Sequence, residues 1–258
     1  EPARPKLSFL AQPRVETGFD PSDGGTRWRL DESALRLTPW SDGRFTIQVG
    51  KFASIFGAWV ERHLSWENPF VNAPLPYETA TLVSDLELPL TGQSFRAVPG
   101  SNKYEFLPVI WGPAYTQGVS VSGELGIFEY AAEVKNVSIS ARPESWDDFD
   151  FRHPAVNLRL GLQPNEAWRF GFSAAEGPYL SAEASPLPAG ADRGDYRQFV
   201  LGQDVSYARG HWQIWAEVFE ARFEVPRLGD ADVLAYYIET KYQFAPQLFG
   251  ALRWDQEM

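Results

Sequence analysis

Residues 156–163 read Val-Asn-Leu-Arg-Leu-Gly-Leu-Gln, and residues 168–173 read Trp-Arg-Phe-Gly-Phe-Ser. In the first run Val156, Leu158, Leu160 and Leu162 take every second place, with Asn157, Arg159, Gly161 and Gln163 between them. Successive side chains of a strand point to opposite faces, so this is a strand with one apolar and one polar face. After Pro164-Asn165-Glu166 the second run repeats the pattern, with Trp168, Phe170 and Phe172 against Arg169, Gly171 and Ser173, which makes a hairpin.

The same alternation recurs along the chain. Leu234, Tyr236, Ile238 and Tyr242 oppose Tyr237, Glu239, Lys241 and Gln243; after Ala245-Pro246-Gln247, Leu248, Gly250, Leu252 and Trp254 oppose Arg253 and Asp255. Leu7, Phe9 and Val15 oppose Ser8, Gln12, Arg14 and Glu16, and Phe45, Ile47 and Val49 oppose Arg44, Thr46 and Gln48. Between Trp28 and Trp40 the phase changes near Glu32 to Ala34, where a bulge is expected. About eleven strands result, near residues 6–18, 27–40, 44–56, 116–125, 127–139, 154–163, 167–176, 196–208, 211–223, 232–244 and 248–256.

The links between strands alternate in length. Short ones are expected at Ser41-Asp42-Gly43, Leu125-Gly126, Pro164 to Ala167, Arg209-Gly210 and Ala245 to Gln247. Long ones are expected from Asp20 to Thr26, Gly57 to Tyr115, Ala141 to His153, Gly177 to Asp195 and Glu224 to Asp230. A meandering barrel across an outer membrane has this beat, with short turns on one side and long loops on the other. A half-buried sheet of a soluble sandwich explains one alternating strand, but not the series with its rhythm.

Composition agrees. Aromatic residues make up 15% of the 258 residues, including 10 Trp, more than a soluble core needs and in keeping with interfacial girdles. Mean hydropathy is −0.31, and no apolar run approaches the roughly 18 residues of a spanning helix, so a barrel is the remaining way to cross a bilayer. The formal charge is −11 with no basic block, which excludes nucleic acid as a partner. Cys is absent, so disulfides and thiolate metal sites are excluded. The chain opens on Glu1-Pro2-Ala3-Arg4-Pro5-Lys6 without a basic-then-apolar leader, as expected after removal of a signal peptide.

Gln117 to Leu125 followed by Phe128 to Val134 resembles the fourth and fifth strands of porins related to the phosphate-selective porins O and P. Arg159 to Pro164 before Trp168 to Gly171 is similar to the next hairpin, and Leu201 to Tyr207 with Trp212 to Glu217 to the one after. Tyr236 to Tyr242 with Leu252 to Asp255 resembles the hairpin that follows. The resemblance spans about two thirds of the chain in short, degenerate pieces. It implies an all-β, up-and-down transmembrane barrel of sixteen antiparallel strands in the outer membrane of a Gram-negative bacterium. A homotrimer or a larger envelope complex, contacts with lipid and lipopolysaccharide, no cofactor and no chemical step are also implied. Two departures stand out. Glu257-Met258 falls inside a strand and the strand count is odd, so either the sequence is incomplete, the reading favoured, or other chains close the wall; and the rows of Arg and Lys on which phosphate selectivity depends are not matched, so that selectivity is not carried over.

A barrel with lipid-facing apolar sides points Arg14, Glu16, Arg44, Gln48, Arg159, Arg169, Asp204, Glu217, Glu239, Lys241, Arg253 and Asp255 into the lumen, to set ion preference or pair across strands. Residues 57–115 are too long to lack structure and are expected to form a constriction or plug, with Arg62, His63 and Glu67 at the narrowest point. A lid at the outer rim or a protomer contact is the alternative. His63, His153 and His211 sit on separate elements without a triad, zinc or phosphate-loop setting. The acids Asp147, Asp148 and Asp150, and those from Asp20 to Asp23, read as solvated loop residues before calcium ligands. Passive diffusion of small hydrophilic solutes or ions is the function expected. A sheath or scaffold with an occupied lumen is the second reading, and a periplasmic sandwich binding glycans through exposed Trp the third.

Overall fold

The computed structural model describes residues 5–17, 26–63, 68–95 and 106–258. Its eleven strands are β1 Lys6–Thr17, β2 Thr26–Thr38, β3 Thr46–Phe52, β4 Thr116–Leu125, β5 Phe128–Lys135, β6 Ala155–Asn165, β7 Trp168–Pro178, β8 Arg197–Arg209, β9 Trp212–Val225, β10 Gly229–Ala245 and β11 Leu248–Glu257. They form one sheet in sequence order, each antiparallel to the next, the up-and-down architecture that the alternation predicts. β1 and β11 are its outer edges, and among the described residues no ladder joins them. No described helix is long and apolar enough to cross a membrane.

The bulge expected near Glu32 is present: Gln12 pairs with Glu32 and Pro13 with Leu30, leaving Asp31 as the extra residue of β2. Two local expectations are corrected. The β9–β10 link is only residues 226–228, because both strands continue in register to Val225 and Gly229; the beat of long and short connections breaks there. Arg44 precedes β3 and belongs to the turn, where its Nε lies 2.7 Å from Asp42.

The sheet is inside-out relative to a soluble protein. Along β6, Ala155, Asn157, Arg159 and Gly161 are buried and Val156, Leu158 and Leu160 exposed; Leu160 is 62% exposed and Arg159 6%. Elsewhere on the outer face Leu252 is 74% and Trp254 65% exposed.

The inner face is covered by the segment between β3 and β4, which carries two short helices, α1 Leu75–Glu78 and α2 Gly92–Phe95. Phe56, Trp59, Val60, Tyr77, Leu107, Val109 and Ile110 form one core cluster with Ala175, Val200, Phe219, Phe223 and Tyr237 of β7 to β10. Phe56, Leu107 and Ile110 are fully buried, each worth about 1.5–3 kcal/mol of apolar burial. The long connection is therefore a packed inner layer on one side of the wall.

Candidate functional site

The seam between the inner segment and the wall is polar and held by hydrogen bonds and ion pairs. Arg159 grips Asp204 with two hydrogen bonds, Nη1–Oδ2 at 2.6 Å and Nη2–Oδ1 at 3.0 Å, and also donates to Ser173. Gly171, paired with Asp204, leaves room for this fork, since a Cβ there would overlap both partners. One strand on, Glu217 accepts from the backbone N–H groups of Ala58 and Trp59 and from the Tyr77 hydroxyl. Gly57 allows that approach with a φ of +73°, and a Cβ there would overlap Tyr77 and Glu217. Burial and the neighbouring Glu217 carboxylate push the Tyr77 phenol well above its usual range, so Tyr77 remains a donor.

Arg62 completes the seam. It reaches Glu239 at 2.7 Å and Tyr237 at 3.3 Å and lies over the Trp215 ring at 4.4 Å. Burial opposes its charge, but Tyr237 and Glu239 outweigh that and raise its pKa. Nearer β3, Glu133 accepts from Ser54 and Asn157, while the Lys135 ammonium donates to the carbonyls of Phe52 and Thr116.

Two open spaces meet at this inner layer. A cavity of about 590 Å³ on the short-turn side is lined by Arg36, Gln48, Glu61, His63, Glu129, Arg159 and Arg169 among others. Another of about 450 Å³ is lined by Arg14, Arg29, Trp59, His63, Tyr77, Tyr115 and Trp146 among others. His63 lines both, with Nε2 2.6 Å from the Tyr115 hydroxyl.

The residues expected in the lumen fall into several settings. Gln48, Arg159, Asp204, Glu217 and Glu239 are buried on the inner face, Gln48 accepting from Arg36. Arg169 bridges Glu129 at 2.8 Å and Glu61 at 2.9 Å. Arg253 stands 3.0 Å from Asp255 and donates to the Asn72 and Ala73 carbonyls, and Lys241 lies over the Phe249 ring at 4.6 Å. Arg14 lies 3.8 Å from Asp31. Arg44 is exposed in its turn, and Glu16 has its side chain outside the described residues. Of the constriction group, His63 borders both cavities, Arg62 is tied into the wall, and Glu67 lies outside the described residues. Glu61, Arg36 and Glu129 line the larger cavity and were not singled out from the sequence. The alternation signal was present for Glu129, between Phe128 and Tyr130 on β5, and for Arg36, between Leu35 and Leu37 on β2, but not for Glu61.

The connections at the long-loop end are tied to one another and to the inner layer. Arg142 holds Asp85 at 2.7 Å, Lys51 holds Asp147 at 2.7 Å, and Arg193 holds Asp150 at 2.7 Å. The Arg152 guanidinium and backbone N–H hold the Asp150 carboxyl well below the usual carboxylate range. Asp20 to Asp23 lie outside the described residues.

No protein-family model and no curated protein matches the chain. Among solved structures it is similar to a refined porin, at 12% identity and TM-score 0.42 over 94% of this chain and 80% of the other. It is also similar to an outer membrane protein of Vibrio cholerae with loop L8 deleted, at 12% identity and TM-score 0.39 over 97% and 81%. A mutant of the Rh. blastica porin is a third, at 11% identity and TM-score 0.34 over 97% and 83%. The fold stands on this chain's own ladders and on the sidedness of its strands.

Proposed function

We propose that this chain forms the wall of a passive outer-membrane channel of the porin kind, admitting small hydrophilic solutes or ions in a Gram-negative bacterium. The observation that carries the reading is the inverted sidedness: apolar side chains on the outer face are exposed while Arg159, Asp204, Glu217 and Glu239 are buried within. In water an exposed face of Leu160, Phe170, Phe172, Val218, Ile238 and Trp254 has no stable place; in lipid it is the required one. The band has edges that support this. Trp168 packs on Tyr207, and Trp212 on Tyr242, near the short turns, and the opposite end of the same face carries Glu176, Glu220, Arg222 and Asp232. A lipid setting also requires the outer edges of β1 and β11 to be paired, since hydrocarbon offers no partner for backbone N–H and C=O groups.

The solute path in this reading runs through the two cavities and past His63, with Glu61, Arg169 and Glu129 setting the local field. The core built by the inner segment against β7 to β10 favours a second reading, a scaffold whose lumen is filled by protein. Single-channel recording in a planar bilayer under a salt gradient separates them. Stable open steps whose reversal potential moves toward anion preference in Glu61→Lys support the channel, and a folded protein that never conducts supports the scaffold.

A further inference from the structure

At the short-turn end of β9, β10 and β11 lies a third cavity, lined by His211, Gln213, Lys241, Gln243, Gln247 and Phe249 among others. Gln213, Lys241, Gln243 and Phe249 belong to three neighbouring strands and share the inner face with the buried Glu217, Tyr237 and Glu239, because each stands an even number of places from the inward residues of its ladder. Lys241 pairs with Gln213 on one side and with the short Ala251 on the other, and Gln243 pairs with Phe249. His211 and Gln247 come from the two adjoining turns, which backbone bonds fix: Gln243 N–H donates to the His211 carbonyl at 2.9 Å and Gln247 N–H to the Ala245 carbonyl at 2.8 Å. The polar groups of this cavity therefore stand on paired strands and tight turns.

Its chemistry is cationic and rich in amides. The Lys241 ammonium lies over the Phe249 ring at 4.6 Å, a contact that holds the end of its flexible stem at this mouth. Among the described residues no carboxylate lines the cavity, and Glu239, the next inward residue of β10, is committed to Arg62 at 2.7 Å. Gln243 and Gln247 are exposed, and Gln213 and Lys241 are partly so. Among the described residues no side-chain hydrogen bond or ion pair engages any of these four, so their polar ends are open to a solute. An amide carries a carbonyl acceptor beside an NH₂ donor, which suits a hydroxyl, itself donor and acceptor; an ammonium has donors alone and suits an anionic oxygen. Three amides around one ammonium favour a molecule with several hydroxyls and one negative charge. At about 170 Å³ the cavity falls below the roughly 300–1,000 Å³ of drug-sized sites, which limits that molecule to a small one.

We infer that this mouth binds small polyhydroxylated carboxylates, sugar acids by chemical class, with the carboxylate on Lys241 and the hydroxyls on Gln213, Gln243 and Gln247. The inference rests on the channel reading for the approach of the solute and deepens it by naming a class of solute, but binding itself is measured without conduction. The probe is glucuronate titrated into the detergent-folded full chain and followed by saturation-transfer NMR, with glucose and acetate titrated alongside and inorganic phosphate added as a competitor. Saturable glucuronate binding is expected, with glucose about three- to tenfold weaker for want of the charge and acetate about three- to tenfold weaker for want of the hydroxyls. Lys241→Gln is expected to bring glucuronate down to the level of glucose, and Gln213→Leu to weaken both. Non-saturable glucuronate signal, glucose or acetate binding as tightly as glucuronate, displacement by phosphate at equal concentration, or a glucuronate preference that survives Lys241→Gln overturns the site. The ranking of ligands on the wild-type chain decides the matter even where Lys241→Gln fails to fold. Conducting channels without saturable glucuronate binding remove this inference and keep the channel; saturable glucuronate binding by a folded chain that never conducts keeps the site and removes the channel.

Discussion

Arg62 and Glu239 stand 177 positions apart in the chain and 2.7 Å apart in the fold. Glu239 is 0% exposed, and its other oxygen is 4.0 Å from Arg253, so Arg62 is its main partner. Removing one member of a buried pair strands the other charge, at a cost of about 3–5 kcal/mol, whereas replacing both by apolar groups is far milder. Arg62→Met is therefore expected to lower the thermal unfolding midpoint in detergent sharply, and Arg62→Met with Glu239→Met to recover most of the loss. Additive losses in the double variant would mean that the two residues act independently.

Glu217 pins the start of the inner segment through three donors, Ala58 N–H, Trp59 N–H and the Tyr77 hydroxyl. Each buried donor left without an acceptor costs about 1–3 kcal/mol. Glu217→Ala strands all three, while Glu217→Gln keeps one acceptor oxygen on the same stem. Limited proteolysis is expected to cut within residues 57–63 readily in the alanine variant and slowly in the glutamine variant. Equal resistance of the alanine variant and the wild type would show that apolar packing of Phe56 and Trp59 alone holds the segment.

The wall was legible and the layer inside it was not, for one physical reason. Strand alternation is local: Asn157, Arg159 and Gly161 announce their face by sitting between Val156, Leu158, Leu160 and Leu162, and burial follows that pattern residue by residue. The inner segment has no period, and its contacts come from far away, Ala58 with Glu217 and Arg62 with Glu239. Reading Arg62 and His63 as one group treated neighbours in sequence as neighbours in space. In the 3-10 turn Val60–Arg62, Glu61 turns to Arg169 while Arg62 turns to β10. The short β9–β10 link was overlooked because Glu224 to Asp230, with Pro226 and Gly229 among charges, reads as a loop, although Glu224 pairs with Asp230 and Val225 with Gly229 across the two strands.

Acid is expected to loosen the long-loop end. Arg152 and Arg193 hold the Asp150 carboxyl below its ordinary value, so this ion pair stabilises the folded state fully above the ordinary carboxylate pKa of about 3.9 and loses that contribution as pH falls below it. Amide exchange of Arg193 to Tyr196 is expected to speed up below about pH 4 and to be fast at neutral pH in Asp150→Asn. An exchange rate in Asp150→Asn equal to wild type at both pH values would assign the order of this turn to the Asp192 capping box instead.

Leu160 lies mid-strand on the outer face and is 62% exposed. On a soluble sheet, an exposed Leu replaced by Arg changes stability within about ±0.5 kcal/mol, since the guanidinium is hydrated. At the midplane of a bilayer the same change costs about 2–4 kcal/mol, and it falls to about 0–1 near the interface. Urea titrations in lipid vesicles are expected to give Leu160→Arg the full penalty. Glu220→Arg, on the same outer face beyond the apolar band, is expected to cost little. The depth dependence matters more than either value. Equal, small costs at both positions would mean that water covers this face, and the channel reading would fall with it.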